Sequence, residues 1–377
     1  MKEKARFIFI DLLRGWALLV MIEVHIFNVM LLPPLKETTW FSALNFINGL
    51  VAPSFLFISG FAFAISTRGK SEELRKFNYA FWKKLGRITL VILAGYSLHL
   101  PILSLRRFMN FYSQDVIIGF YNVDILQCIG VGLLLLVILR LIIKSEKNYN
   151  YILIVLTLLT ALLAPIVWQI DFTKYMAVPF ANYFNKMYGS FFPLFPWLGF
   201  LLAGAITCKY YLDARENNNE KNFIKRIMIV GFAAAIIGHL LLSKFLDMSF
   251  RFVTPHPIFF FQRLGYVVFL LGLCWYYAEY RQTKTSFVLD VGRESLLVYW
   301  LHLQIIYRHF WHSTSFASIF GGQFNLFSSI AATIILALMM IVVAKLWGGI
   351  KKEHKSLAAN FTIGLISLCI IIFLIGF

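Results

Sequence analysis

Residues 7–31 read FIFIDLLRGWALLVMIEVHIFNVML, an apolar run whose ionisable interruptions are Asp11, Arg14, Glu23 and His25. As a helix rising 1.5 Å per residue, the run is long enough to cross ~30 Å of hydrocarbon. Lys2, Lys4 and Arg6 precede it, as they would in a signal peptide, but the ionisable residues break the apolar core and no small-residue cleavage site follows. The segment therefore reads as a retained first helix with its N-terminus in the cytoplasm. An Arg or Asp at the centre of such a helix costs roughly 2.5–3.5 kcal/mol on insertion scales, so these residues should face the bundle interior or a wet cavity.

Arg14 and His25 are eleven residues apart, which at 100° per residue returns them to within about 20° on one helix face. Asp11 lies on that side, three residues before Arg14, where an ion pair is sterically natural. Glu23 points the opposite way and needs a partner of its own. Asp11 and Arg14 could serve only to anchor helix packing, and a lone buried histidine is ordinarily a hydrogen-bonded core residue. The shared phase of Arg14 and His25 favours a functional face.

Outward from this segment the pattern repeats. Of 377 residues, 60% are hydrophobic and 14% charged, against about 25% charged in a soluble domain. Apolar blocks fall at 7–31, 40–66, 85–104, 121–143, 150–168, 193–211, 225–242, 257–280, 289–310, 324–347 and 359–377. The expected fold is all-α, a polytopic membrane bundle of about eleven transmembrane helices forming one domain over 1–377, with no internal repeat. Sorting Lys and Arg by side places 25 on the cytoplasmic segments and 8 on the outer ones, the latter being Lys36, Arg106, Arg107, Lys174, Lys186, Lys244, Arg251 and Arg308. This is the positive-inside bias, so the net charge of +17 is topological, with anionic membrane lipids as its partner and no nucleic acid implied. Cys128, Cys208, Cys274 and Cys369 sit in different blocks and suggest neither a disulfide framework nor a metal site.

In the second block, Ala52–Pro53–Ser54 and Ser59–Gly60 combine a mid-span proline with small residues that permit close helix approach. Residues 67–84 carry Arg68, Lys70, Arg75, Lys76, Lys83 and Lys84, most of them expected to touch anionic lipid. Lys84 and Arg87, three residues apart at the mouth of the third helix, share a face that could hold phosphates. The outer stretch 169–192 holds Tyr175, Asn182, Tyr183, Asn185 and Tyr188, suited to sugar hydroxyls and equally to an interfacial aromatic belt. Arg263, after His256 and Gln262, is a mid-span cation that Glu294 or His302 could meet. Ser295 lies near the face of His302. These read as a polar network, lining an acceptor cavity or holding helices together.

Several of these residues match a known pattern. Arg14 and His25, in an R-x10-H arrangement within Leu13–Arg14–Gly15–Trp16–Ala17, resemble the first-helix motif of the transmembrane acyltransferase superfamily, notably acyltransferase family three. Lys84-x-x-Arg87 resembles its RxxR element with lysine first. Ile10–Asp11–Leu12–Leu13–Arg14–Gly15, Phe55–Leu56–Phe57–Ile58–Ser59–Gly60 and Phe192–Pro193–Leu194–Phe195–Pro196–Trp197–Leu198–Gly199 look closer still to the catalytic domain of heparan-α-glucosaminide N-acetyltransferase and its bacterial relatives. Gly292–Arg293–Glu294–Ser295–Leu296–Leu297–Val298–Tyr299–Trp300–Leu301–His302 is similar to the late helix common to both groups. Two departures stand out: the outer loop after the first helix, Pro33 to Trp40, lacks the histidine usually assigned to catalysis in the heparan enzyme, and the large lumenal N-terminal domain of the animal enzyme is not expected here, so a heparan substrate does not follow.

The resemblance implies an acyltransferase, O- or N-acetyl, that takes acetyl-CoA from the cytoplasm without a metal. Lys84 and Arg87 would hold the nucleotide phosphates, and His25 would act as general base or nucleophile, assisted by Asp11 and Arg14. Arg263, Glu294, Ser295 and His302 would line the site of a glycan or lipid-linked acceptor. The expected setting is a bacterial plasma membrane, with a homodimer left open. The competing readings are a secondary transporter, disfavoured by the lack of related halves, and a flippase retaining the fold. Soluble hydrolase chemistry has no support, since G-x-S-x-G, H-E-x-x-H and phosphate-binding glycine loops are all missing.

Overall fold

A computed structural model of the chain describes residues 7–100, 104–111, 113–245, 254–281, 285–309 and 314–375. Lys2, Lys4, Arg6, Arg251 and Lys284 of the charge count lie outside the described residues, as do the side chains of Arg107 and Lys244. The long helices are α1 (Ile8–Met30), α2 (Thr39–Asn48), α3 (Val51–Thr67), α4 (Tyr79–His99), α5 (Ile125–Ile142), α6 (Glu146–Leu162), α7 (Leu194–Glu216), α8 (Glu220–Phe245), α9 (Pro257–Arg281), α10 (Phe287–Arg293), α11 (Ser295–Tyr307), α12 (Leu326–Glu353) and α13 (Lys355–Ile375). The described residues are all-helical, with one isolated β-bridge between Leu31 and Phe324. Among the described residues, six stretches are long and apolar enough to cross a membrane: Thr39–Thr67, Ile125–Ile142, Glu220–Ser243, Pro257–Arg281, Leu326–Glu353 and Lys355–Ile375.

Three blocks expected to be single helices are divided, the 150–168 block at Leu163, beyond which Ala164–Val167 forms a separate turn. The 40–66 block breaks at Gly49 and Leu50, and Pro53 sits in the first turn of α3 rather than mid-helix. There its missing N–H has no intrahelical bond to lose. The 289–310 block breaks at Glu294, whose φ of −102° and ψ of 31° end α10 and open α11.

The chain forms two compact units interleaved in sequence, one from Met1–Leu13, Ala52–Gly95 and Tyr121–Gln282, the other from Arg14–Val51, Tyr96–Phe120 and Thr283–Phe377. Lipid offers no hydrophobic gain for helix association, so small residues and polar ties must hold such units. In the first, a Cβ on Gly60 would stand 1.8 Å from the Leu201 carbonyl oxygen, and one on Gly204 1.9 Å from that of Phe57, so α3 and α7 touch backbone to backbone. Arg68 ties their C-terminal ends, at 3.1 Å from Asp213 and 2.7 Å from Glu216. Phe9, Phe61 and Tyr211 pack edge-on and tilted beside this crossing.

Arg75, one of the cations expected to touch lipid, instead caps α5. It donates to the carbonyls of Arg140, Leu141 and Ile143 at 2.9, 3.3 and 2.7 Å, neutralising the negative end of the helix. Arg140 lies over the Tyr149 ring and pairs with Glu146. The 169–192 stretch is also more structural than its composition suggests. Asn182 and Asn185 are buried and donate to the carbonyls of Tyr121 and of Val167 and Ile170, while Tyr188 bonds Asp171. Tyr175 stays exposed.

In the second unit, Met30 and Leu32 exchange backbone hydrogen bonds with Phe324, and Glu294 binds the Lys351 ammonium at 2.8 Å. The apolar faces of α12 and α13 are widely exposed, as helices facing lipid would be.

Candidate functional site

The face of α1 that the sequence singles out runs along α10 and α11. Gly15 seats it: a Cβ there would meet the Val288 carbonyl oxygen at 2.0 Å. Beside it, Arg14 is half-buried and its Nη1 donates to the Gly292 carbonyl at 3.3 Å, placing a cation at the C-terminal end of α10. Eleven residues on, the His25 Nδ1 stands 2.9 Å from the Tyr307 hydroxyl at the end of α11. Arg14 meets the start of the α10–α11 run and His25 its end, so the two run in the same direction.

Four rings converge here. The His25 imidazole lies 5.5 Å, centroid to centroid, from both His302 and Tyr307, and Tyr299 packs edge-on against His302 at 5.8 Å. His302 is fully buried, and its Nδ1–H donates to the Val298 carbonyl at 2.8 Å, one helical turn back. That bond fixes the proton on Nδ1 and leaves the lone pair on Nε2. The His302 Nε2 is buried and meets no hydrogen-bond partner among the described residues. Tyr307 hydrogen-bonds the His25 Nδ1, leaving the Nε2 of His25 as its other functional nitrogen.

The remaining sequence candidates distribute as follows. Glu23, on the opposite face of α1, finds its partner in the Asn48 amide at 3.4 Å. Asp11 is buried on α1 and, with Lys84, Arg87 and Arg263, belongs to the first unit; Arg14, His25, Glu294, Ser295 and His302 belong to the second. Lys84 reaches Ser66 Oγ at 2.7 Å with its ammonium 4.6 Å from the Phe63 ring centroid. Arg87 is exposed. Arg263 is buried over the Phe259 ring at 5.3 Å. Ser295 opens α11, and Glu294 is held by Lys351.

The model of the heparan-alpha-glucosaminide N-acetyltransferase catalytic family matches residues 6–248. The chain belongs to that family. Among curated proteins, none matches it. With the apolar helices described above, membership makes the chain a multi-pass membrane protein of the acetyltransferase class. The family's donor is acetyl-CoA, and among the described residues no cluster of His, Cys, Asp and Glu could hold a metal ion. The matched segment contains Arg14 and His25; His302 and Tyr307 lie beyond it. Sequence reading found His302 as a polar residue in an apolar helix but missed Tyr307. An aromatic residue at the end of a span looks like an interfacial anchor, and nothing in its spacing ties it to His25, 282 residues away.

Proposed function

We propose that this member of the family moves an acetyl group from acetyl-CoA, taken up at the cytoplasmic face of a plasma membrane, to a hydroxyl or amine of a sugar or lipid-linked acceptor at or beyond the outer face. The observation that carries the reading is the placing of His25 on a family helix, with Tyr307 on one ring nitrogen and the open Nε2 of His302 beside it. His25 conveys to the departing CoA sulfur the proton that the acceptor releases. Arg14 and Asp11 hold the helix that carries it. Lys84 and Arg87 bind the nucleotide phosphates, Arg87 through its exposed guanidinium. His302 and Ser295 line the acceptor side. Glu294, engaged by Lys351, serves the joint between α10 and α11 rather than the acceptor.

Sealed proteoliposomes test the transfer. With acetyl-CoA outside and glucosamine trapped inside, acetylated amino sugar should accumulate in the lumen while free CoA thiol appears outside. Movement of glucosamine with no acetylation would make the protein a transporter. Product formed only when donor and acceptor share one compartment would remove the membrane-crossing step.

A further inference from the structure

Among the described residues the lone pair on His302 Nε2 meets no donor, so it does nothing to hold them together. A buried acceptor left without a donor costs about 1–3 kcal/mol, and such atoms are rare in folded proteins. An apolar side chain of similar volume would fill the same position without that cost. The other nitrogen of the ring is already bonded to Val298, so the tautomer is set and Nε2 is a base awaiting a proton donor. It sits one ring away from His25, where the proposed acetyl transfer releases a proton.

We infer that His302 is a second catalytic residue, the base that receives the acceptor's proton before His25 does; the inference rests on the acetyl-transfer reading. As the acceptor O–H or N–H bond breaks, its proton passes to His302 Nε2, and the acceptor oxygen or nitrogen bonds to the acetyl carbonyl carbon. The carbon–sulfur bond then breaks with its electron pair on sulfur. The proton leaves His302 through His25 to the CoA thiolate, and both imidazoles end neutral. Division of the task suits a site where hydroxyl and thioester arrive from opposite sides of a membrane, because a single imidazole would have to face both. Tyr307, bonded to His25 Nδ1, leaves that ring's Nε2 for the exchange.

His302→Ala and His302→Gln, purified beside wild type and His25→Ala, test this with two acceptors. Glucosamine must lose a proton to a base as it is acetylated. Hydroxylamine attacks thioesters unaided, and its acetohydroxamate product is read colorimetrically. General-base removal should lower glucosamine acetylation by ~10²–10³-fold, while hydroxylamine acetylation falls less than ~10-fold and added imidazole restores part of the lost rate in His302→Ala. Thermal midpoints in detergent within a few degrees of wild type establish folding. Equal loss with both acceptors and no imidazole rescue would reduce His302 to a structural residue. Glucosamine activity within a few-fold of wild type would exclude it from the reaction. If His25→Ala itself acetylates normally, the acetyl-transfer reading of the site fails first, a result that the two His302 variants cannot mimic.

Discussion

Replacing Gly15 with alanine inserts a methyl group where α1 meets α10. The new carbon would stand 2.0 Å from the Val288 carbonyl oxygen, 2.8 Å from its Cγ1 and 2.9 Å from its carbonyl carbon, whereas ordinary contact begins at 3.4 Å. The helices must therefore part by about 1.4 Å (3.4 minus 2.0), because a backbone oxygen cannot swing aside as a side chain would. Overpacking of this kind costs about 1–3 kcal/mol, more than the ~1 kcal/mol of helix propensity that alanine gains over glycine. His25 rides on the same helix, and misplacing a reacting group by ~1 Å lowers rates on the order of 10²-fold. Gly15→Ala should thus lose both thermal stability in detergent and acetyl transfer. Gly364→Ala on α13, with nothing within 4 Å, should be neutral or slightly stabilising. Val288→Ala removes Cγ1 but not the offending oxygen and should not rescue Gly15→Ala. Rescue by that change, or a Gly15→Ala protein as stable and active as wild type, refutes the backbone-to-backbone seating of α1.

Tyr307→Phe should lower kcat for glucosamine by ~10-fold, leave the KM for acetyl-CoA unchanged and alter the pH–rate profile; an unchanged profile would mean that the hydroxyl does not set the His25 ring. Arg75→Ala, which strips the cap from α5, should cost about 2 kcal/mol of stability with acetyl-CoA affinity intact, whereas Arg87→Ala should weaken acetyl-CoA binding by ~10-fold or more and change stability by under ~0.5 kcal/mol. Equal losses of affinity in the two would return Arg87 to a lipid contact. Burial alone would raise the Glu146 carboxyl, but the Arg140 hydrogen bond and charge outweigh it and hold the group below the usual carboxylate range. Its contribution is present above that range and disappears as pH falls through the lowered value. Glu146→Gln should lower stability at neutral pH by about 1 kcal/mol, the exposed carboxylate being screened by solvent although Arg140 is buried, and the two proteins should converge in acid; a constant gap at every pH would contradict the ion pair.

The helices were legible because each follows from a run of apolar residues, and 257–280 against the observed Pro257–Arg281 shows how closely the run sets the ends. Breaks inside runs were not. Glu294 interrupts 289–310 two residues after Gly292, a glycine that an apolar packing helix could equally carry, and its side chain is held by Lys351, 57 residues away. Pro53 was visible but its place was misread, since composition cannot tell a first turn from a mid-span. On α1, helical phase alone put Arg14 and His25 on one face and sent Glu23 to another. The partners of that face, Gly292, His302 and Tyr307, come from one distant segment, and only packing reveals the pairing. Arg75, Asn182 and Asn185 looked like surface chemistry because the carbonyls that they satisfy carry no signature in the sequence.

Release of CoA thiol from acetyl-CoA in the presence of glucosamine, compared between wild type, His25→Ala and the exposed control His354→Ala, bears most directly on the reading. Thiol release should fall to the uncatalysed rate in His25→Ala and stay at the wild-type rate in His354→Ala, with both variants folded. Wild-type turnover by a folded His25→Ala protein would contradict it.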